Sequence, residues 1–177
     1  MKTLIVNLFA GPGAGKTAAA WTIAAKLKKQ GRNVEYVSEY AKELVWAERF
    51  EELRDQWKVA GEQIRRINAI RGKVDIIITD SPILLSIIYD GTKDPKLSQY
   101  LIKTFNDCDN FNLFITRGAD FEQAGRMQNE SESRAIDERI KALLTDNKIF
   151  YGVYKRDTED TIVNNILTTF KRIRGDN

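Results

Sequence analysis

The residues with the clearest chemical capacity are Ala10-Gly-Pro-Gly-Ala-Gly-Lys16-Thr17, which follow the apolar run Leu4 to Phe9 and precede a helical pattern. A strand ending in a glycine-rich turn that closes on Gly-Lys-Thr and continues as a helix is a phosphate-cradling arrangement. A triphosphate needs many backbone N–H donors converging on it, and side chains would block that approach. Gly11, Gly13 and Gly15 permit it, with Pro12 and Ala14 between them. The helix opening after Gly15 adds its unpaired N–H groups and positive dipole end, through Ala18 in its first turn. Lys16 can reach the β- and γ-phosphates and the Thr17 hydroxyl can ligate Mg²⁺. The expected cosubstrate is ATP or GTP with Mg²⁺. One position departs from the strict pattern, since its first glycine falls on Ala10. A dinucleotide fingerprint begun at Gly11 and Gly13 would need a third glycine where Lys16 stands, which excludes NAD and FAD.

The 177 residues include no histidine and a single cysteine, Cys108. Serine or cysteine nucleophiles with a histidine base, histidine-ligated zinc, cysteine metal clusters and internal disulfides are thereby excluded. A proton acceptor must be a carboxylate, and two stand at predicted strand ends. Asn33 to Ser38 reads as a short strand ending at Glu39, and the nearly continuous apolar run Val74 to Thr79 as a central buried strand ending at Asp80. Asp80 is placed to hold the Mg²⁺ hydration shell, as the second metal residue beside Thr17. Glu39 is assigned to acceptor binding or general base and Asp80 to Mg²⁺, though the two carboxylates could exchange these roles, and Glu39 could instead be an N-cap of the helix that follows. Two arginines complete the set. Arg117 ends the strand Phe111 to Thr116, and Arg126 lies in the polar stretch from Arg117 to Ser133, which reads as a flap over the phosphates. Both are candidates to stabilise charge on a transferring phosphoryl group.

These groups need a scaffold, and the pattern supplies one. Ala18 to Gln30 reads as a helix with Gly31 at its C-cap. Ala41 to Gly72 is helical throughout, with a break near Phe50-Glu51 that predicts two helices. Trp46, Phe50 and Trp57 are expected in the core, with a wall for an acceptor pocket beside Tyr40 as the alternative. Ser81-Pro82 restarts the chain as a helix to Tyr89, and another follows Asp94-Pro95. Glu132 onward is helical, Lys148 to Tyr154 is a fifth strand, and Asp157 to Arg174 is a closing amphipathic helix. Five strands alternating with helices predict a three-layer αβα sandwich with a parallel sheet of order 2-3-1-4-5, in a single domain over residues 1–177.

Composition agrees: 42% hydrophobic and 30% charged residues, three prolines and a net charge of +3 describe an ordinary globule. No run approaches the ~18 to 20 apolar residues of a membrane span, and no signal-peptide pattern opens the chain, so a cytoplasmic protein without membrane or obligate protein partner is expected. Asn129-Glu-Ser131 and Arg174-Gly-Asp176 match motifs of secreted proteins and receive no weight.

Absent features narrow the reaction. A hydrolysing motor of the AAA or helicase type places Glu after the aspartate of its metal-binding strand to activate water; here that residue is Ser81. A GTPase would show Asn-Lys-x-Asp, which is lacking. A kinase remains, whose acceptor hydroxyl must be positioned and deprotonated. Three segments, Ser38-Glu39-Tyr40-Ala-Lys-Glu43-Leu-Val45, Thr79-Asp80-Ser81-Pro82-Ile-Leu-Leu-Ser86 and Gly125-Arg126 through Asp137, resemble small phage-encoded P-loop kinases related to the nicotinamide riboside kinase domain of NAD-biosynthesis regulators. Within that group the chain is most similar to kinases that phosphorylate 5-hydroxymethyluracil in DNA. The resemblance implies ATP and Mg²⁺, with Lys16 and Thr17 on phosphates and metal and Glu39 and Asp80 in the active centre. A DNA acceptor predicts a basic groove near Lys42, Arg49, Arg54, Lys58, Arg65 and Arg66. A free nucleoside or nicotinamide riboside predicts a closed pocket with Tyr40 or Trp46 stacked on the base. A nucleotide-dependent binding switch predicts binding without transfer.

Overall fold

A computed structural model describes residues 2–117, 130–155 and 158–175. The elements in order are β1 (Leu4–Phe9), α1 (Lys16–Lys29), β2 (Val34–Val37), α2 (Tyr40–Trp46), α3 (Phe50–Arg54), α4 (Gln56–Ile70), β3 (Ile76–Thr79), α5 (Leu85–Tyr89), α6 (Pro95–Asn106), β4 (Asp109–Ile115), α7 (Glu130–Asp146), β5 (Gly152–Tyr154) and α8 (Glu159–Arg174). The strands form one sheet of order β2-β3-β1-β4-β5, and every neighbouring pair is parallel. This is the expected three-layer architecture.

The central strand explains the layering. All six residues of β1 are buried, and successive side chains leave a strand on opposite faces. Leu4, Val6 and Leu8 join Ile23 and Leu27 of α1 and Ile166 and Phe170 of α8 on one side. Ile5 and Phe9 join Ile67 of α4, Ile88 of α5, Leu101 and Phe105 of α6 and Ile140 and Leu144 of α7 on the other. Asn7 is the buried polar exception in this strand. Its amide donates to the Asn110 and Asn112 side-chain oxygens at 2.9 and 3.0 Å, which ties β1 to β4 across the sheet. Because the strands run parallel, their carboxyl ends share one edge, and the Ala10 to Gly15 loop, Glu39, Asp80 and Arg117 all emerge there.

Several local expectations are corrected. The stretch from Tyr40 to Ile70 forms three helices, not two. Glu48 takes a positive φ of 55° between α2 and α3, and Asp55 restarts the chain by accepting the Lys58 N–H as the N-cap of α4. The helix expected from Pro82 begins at Leu85, after a turn in which the Leu85 N–H donates to the Pro82 carbonyl. The fifth strand keeps only its last three residues. Trp46, Phe50 and Trp57 are not core residues, being 68%, 41% and 45% exposed. The face of α4 that packs inward carries Gln56, Val59, Ala60, Gln63 and Ile67, and Trp57 falls beside that stripe. Its indole instead donates to Asp94 at 3.0 Å and packs on Tyr100. Trp21 is also exposed, lying edge-on to Tyr36 with ring centroids 6.4 Å apart.

Ile78 is fully buried at the centre of the sheet, so Ile78→Ala is expected to lower the unfolding free energy by about 2–5 kcal/mol. Phe150, 92% exposed, is expected to tolerate Ser within about 0.5 kcal/mol. Urea unfolding of the two variants checks both.

Candidate active site

The loop after β1 has the backbone its glycines suggest. Gly13 and Gly15 hold φ of 78° and 87°, a region costly for other residues. Ala10 is not among the described residues with positive φ, so its methyl group carries no backbone penalty and the missing first glycine is explained. Gly15 is the N-cap of α1 and no side chain caps the helix, leaving its first-turn N–H groups for a ligand. Lys16 Nζ donates to the Ala10 and Gly11 carbonyls at 2.9 and 3.0 Å. Burial pulls its pKa below the ordinary lysine value, while the carboxylates of Glu39, Asp80 and Asp137 work in the opposite direction. A half-buried ammonium on neutral carbonyls is poised to exchange them for an anion, which offsets its desolvation better.

Asp80 follows β3 and is 2% exposed. Its Oδ2 accepts from the Thr17 hydroxyl at 2.6 Å and from the Tyr36 phenol at 2.7 Å. Its Oδ1 is buried with no hydrogen-bond partner among the described residues. An orphaned buried carboxylate oxygen is costly and calls for a counter-ion or donor. Beside a hydroxyl, it fits a hard cation such as Mg²⁺, and Thr17 and Asp80 would hold it. Among the described residues no group of three or more His, Cys, Asp or Glu is placed to hold a metal ion. The Tyr36 phenol is held neutral, its pKa pushed far up by burial first and then by the Asp80 charge. It therefore serves as a donor.

Glu39 is the N-cap residue of α2 by backbone, yet its side chain makes no capping hydrogen bond. Its carboxylate is the foremost of those raising the Lys16 pKa. Gln63 of α4 sets this corner. It is 3% exposed, donates to the Ser38 carbonyl at 3.2 Å and the Thr79 hydroxyl at 3.3 Å, and accepts the Tyr40 N–H at 3.2 Å. One amide thus fixes the ends of β2 and β3 beside Glu39 and Asp80.

Arg117 does not stand free at the end of β4. Its Nε donates to Asp137 Oδ2 at 2.6 Å, Nη1 to the Pro12 carbonyl at 2.6 Å and Nη2 to the Ser133 carbonyl at 3.1 Å. Asp137 Oδ1 accepts the Gly11 N–H at 2.6 Å. The N–H of Gly11, expected on a phosphate, is engaged by α7. Arg126 and the rest of the flap from residue 118 to 129 lie outside the described residues. Sequence reasoning missed Tyr36, Gln63 and Asp137 as site residues. Tyr36 belongs to an ordinary strand pattern and Gln63 to an ordinary helix. Asp137 closed a segment whose likeness to known kinases was visible but whose partner in space was not.

The family described as AAA domain matches residues 5–160, most of the chain. The chain belongs to that family. Its matched span runs from β1 to the start of α8, so loop, Glu39, Asp80 and Arg117 all lie within it. No curated protein sequence matches the chain. Thymidylate kinase from Ehrlichia chaffeensis is similar in structure with a TM-score of 0.64 at 16% identity, covering 95% of this chain and 98% of that one. Deoxyadenosine kinase from M. mycoides, solved with dCMP and a flexible dCDP bound, has a TM-score of 0.57 at 16% identity, covering 95% and 99%. The α/β fold is therefore that of the P-loop nucleotide kinases. The family description includes the AAA term, but Ser81 still occupies the position where a hydrolysing motor would place its glutamate.

Five of the six cations expected to line a groove for DNA are paired with carboxylates among the described residues. Arg54 pairs with Glu51, Lys58 with Asp55 and Arg65 with Glu62. Arg49 pairs with Glu52 and Arg66 with both Glu43 and Glu62. Such exposed pairs add little stability, but they cancel the field that a polyanion would feel.

Thr17→Val keeps the shape of the side chain and removes its hydroxyl. It is expected to abolish the gain in ADP affinity that Mg²⁺ confers on the wild type, a loss of roughly tenfold, or about 1.4 kcal/mol. Calorimetric titrations with ADP, with and without Mg²⁺, measure it.

Proposed function

We propose that the chain is an ATP-dependent kinase that transfers the γ-phosphoryl group to a hydroxyl of a small nucleoside-like acceptor. The observation that carries this reading is Asp80, buried at a strand end with one oxygen on Thr17 and the other unpartnered, and followed by Ser81 where a water-activating carboxylate would otherwise stand. Transferases and hydrolases share the phosphate loop; they differ in what is positioned for attack.

In this reading, Lys16 leaves the Ala10 and Gly11 carbonyls for the β- and γ-phosphate oxygens, while the α1 N-terminus donates to the phosphates. Mg²⁺, held through Thr17 and Asp80, would neutralise charge developing between the β- and γ-phosphates. Glu39 accepts the proton as the acceptor oxygen bonds to the γ-phosphorus, and the bond from that phosphorus to the bridging oxygen breaks, releasing ADP. Tyr36, a neutral donor on Asp80 Oδ2, holds that carboxylate in its rotamer.

Arg49, Arg54, Lys58, Arg65 and Arg66 are each paired with a neighbouring carboxylate, which disfavours the 5-hydroxymethyluracil DNA expected from the phage-kinase resemblance. A nucleoside-sized acceptor fits better and agrees with the same resemblance to nicotinamide riboside kinase domains. Nucleoside and nucleotide kinases are also what the two similar structures are named. Tyr40 lies under Arg66, whose guanidinium carbon is 4.9 Å from the ring centroid, and offers a better braced stacking face than the exposed Trp46.

The test is transfer of labelled γ-phosphate from ATP with Mg²⁺ to free nucleosides, nucleotides, nicotinamide riboside, and duplex DNA with and without 5-hydroxymethyluracil. Label is expected in a free nucleoside-like acceptor and reduced at least ~100-fold by Lys16→Ala and by Asp80→Asn, which remove electrostatic stabilisation of the transfer. Label confined to the modified DNA would replace the acceptor reading, and tight ATP binding with no transfer to any member would favour a binding switch.

A further inference from the structure

We propose that Asp137 is a positioning residue for the phosphate loop, and that Arg117 acts through it to hold the loop instead of meeting the transferring phosphoryl group. The proposal rests on the reading of this loop as a nucleotide site, and it concerns how the loop is shaped before any nucleotide arrives.

Both oxygens of Asp137 are committed, Oδ1 to the Gly11 N–H and Oδ2 to Arg117 Nε, each at 2.6 Å. Arg117 then carries the grip onward, through Nη1 to the Pro12 carbonyl at 2.6 Å and through Nη2 to the Ser133 carbonyl at 3.1 Å. Two successive residues of the loop are thus held, Gly11 by its N–H from Asp137 of α7 and Pro12 by its carbonyl from Arg117 at the end of β4. The side chains of Arg117 and Asp137 are only 8% and 10% exposed. In so dry a setting loss of one member strands the charge of the other.

Gly11 confirms how close the two elements come. A Cβ at this position would lie 2.6 Å from the Ser133 carbonyl oxygen and 2.8 Å from Arg117 Nη2. The absence of a side chain at Gly11 lets α7 and the loop touch; it is a packing requirement as much as a path for phosphate. The consequence for Arg117 is electrostatic. Its charge is neutralised by Asp137 and its donors face backbone carbonyls and that carboxylate, so it fixes the loop while Lys16 is left to answer the phosphates. Asp137 reaches Lys16 as well, as one of the three carboxylates that raise its pKa.

Asp137→Asn tests the idea without changing the side chain's size. Its carbonyl oxygen can still accept from Gly11, but its NH₂ then faces Arg117 Nε–H, donor against donor. Calorimetric titration of MgATP needs no acceptor, so it separates this proposal from the kinase reading. Measured well below the melting temperature of each variant, the dissociation constant is expected to rise about tenfold in Asp137→Asn and in Arg117→Gln. The double variant is expected to be no weaker than the worse single one, as for residues acting as one unit. Arg117→Lys keeps the charge, loses the planar fork and is expected to fold and to weaken binding severalfold, which covers the case in which Asp137→Asn does not fold. An unchanged dissociation constant in the folded variants, even with lowered melting temperatures, would show a merely structural pair and overturn the proposal. So would normal MgATP affinity in Arg117→Gln with phosphotransfer cut ~100-fold, which would return Arg117 to the reacting phosphoryl group. Altered MgATP affinity in a chain that transfers to no acceptor would uphold the positioning role and leave the kinase reading to fall alone.

Discussion

One carboxylate oxygen joins the end of β3, the strand β2 and the start of α1. Asp80 Oδ2 receives the hydroxyl of Thr17 from the start of α1 and the phenol of Tyr36 from β2, while Asp80 itself extends β3. Those bonds exist only because the parallel sheet brings the carboxyl ends of its strands to one edge, at strand spacings its hydrophobic interior enforces. The remaining oxygen is buried and unpartnered, an energetic debt that secondary structure cannot settle and an incoming cation can. The scaffold is in this sense organised around a charge that it leaves incompletely satisfied.

Around that point the supporting contacts are polar but few. Gln63 ties the ends of β2 and β3, Asp137 and Arg117 tie the loop to α7, and Asn7 ties β1 to β4 beneath. Each is a buried side chain whose hydrogen bonds go to backbone or to a committed partner, which is how a loop carrying function can be held without being filled. Elsewhere the charges meet as exposed pairs along α2 to α4, with little effect on stability and a large effect on how the surface presents itself to a polyanion.

Much of this was legible in the chain. The strand–glycine–lysine–threonine signal located the phosphate loop because its constraints are local: φ values, helix start and residue size. Asp80 and Glu39 were legible because a polar residue ending an apolar run marks a strand terminus. Tyr36, Gln63 and Asp137 were not, because their roles depend on partners separated by 44, 16 to 25 and 20 to 126 positions. Arg117 was found for its place at a strand end, but its pairing with Asp137 was not, since Asp137 lies 20 positions further along the chain. The aromatic residues misled for a different reason: hydrophobicity placed Trp46, Phe50 and Trp57 inside, while helical phase turned them outward, and phase across three short helices is lost whenever a cap such as Asp55 resets it.

That outward turn gives the molecule an unusual optical anatomy. The tryptophans, Trp21, Trp46 and Trp57, are each exposed, so intrinsic fluorescence reports on the solvent-facing shell and only weakly on the collapse of the interior. Trp21 touches Tyr36 edge-on, and Tyr36 rests on Asp80. Light emitted from that one indole is therefore wired, through a single ring, to the carboxylate at the heart of the site.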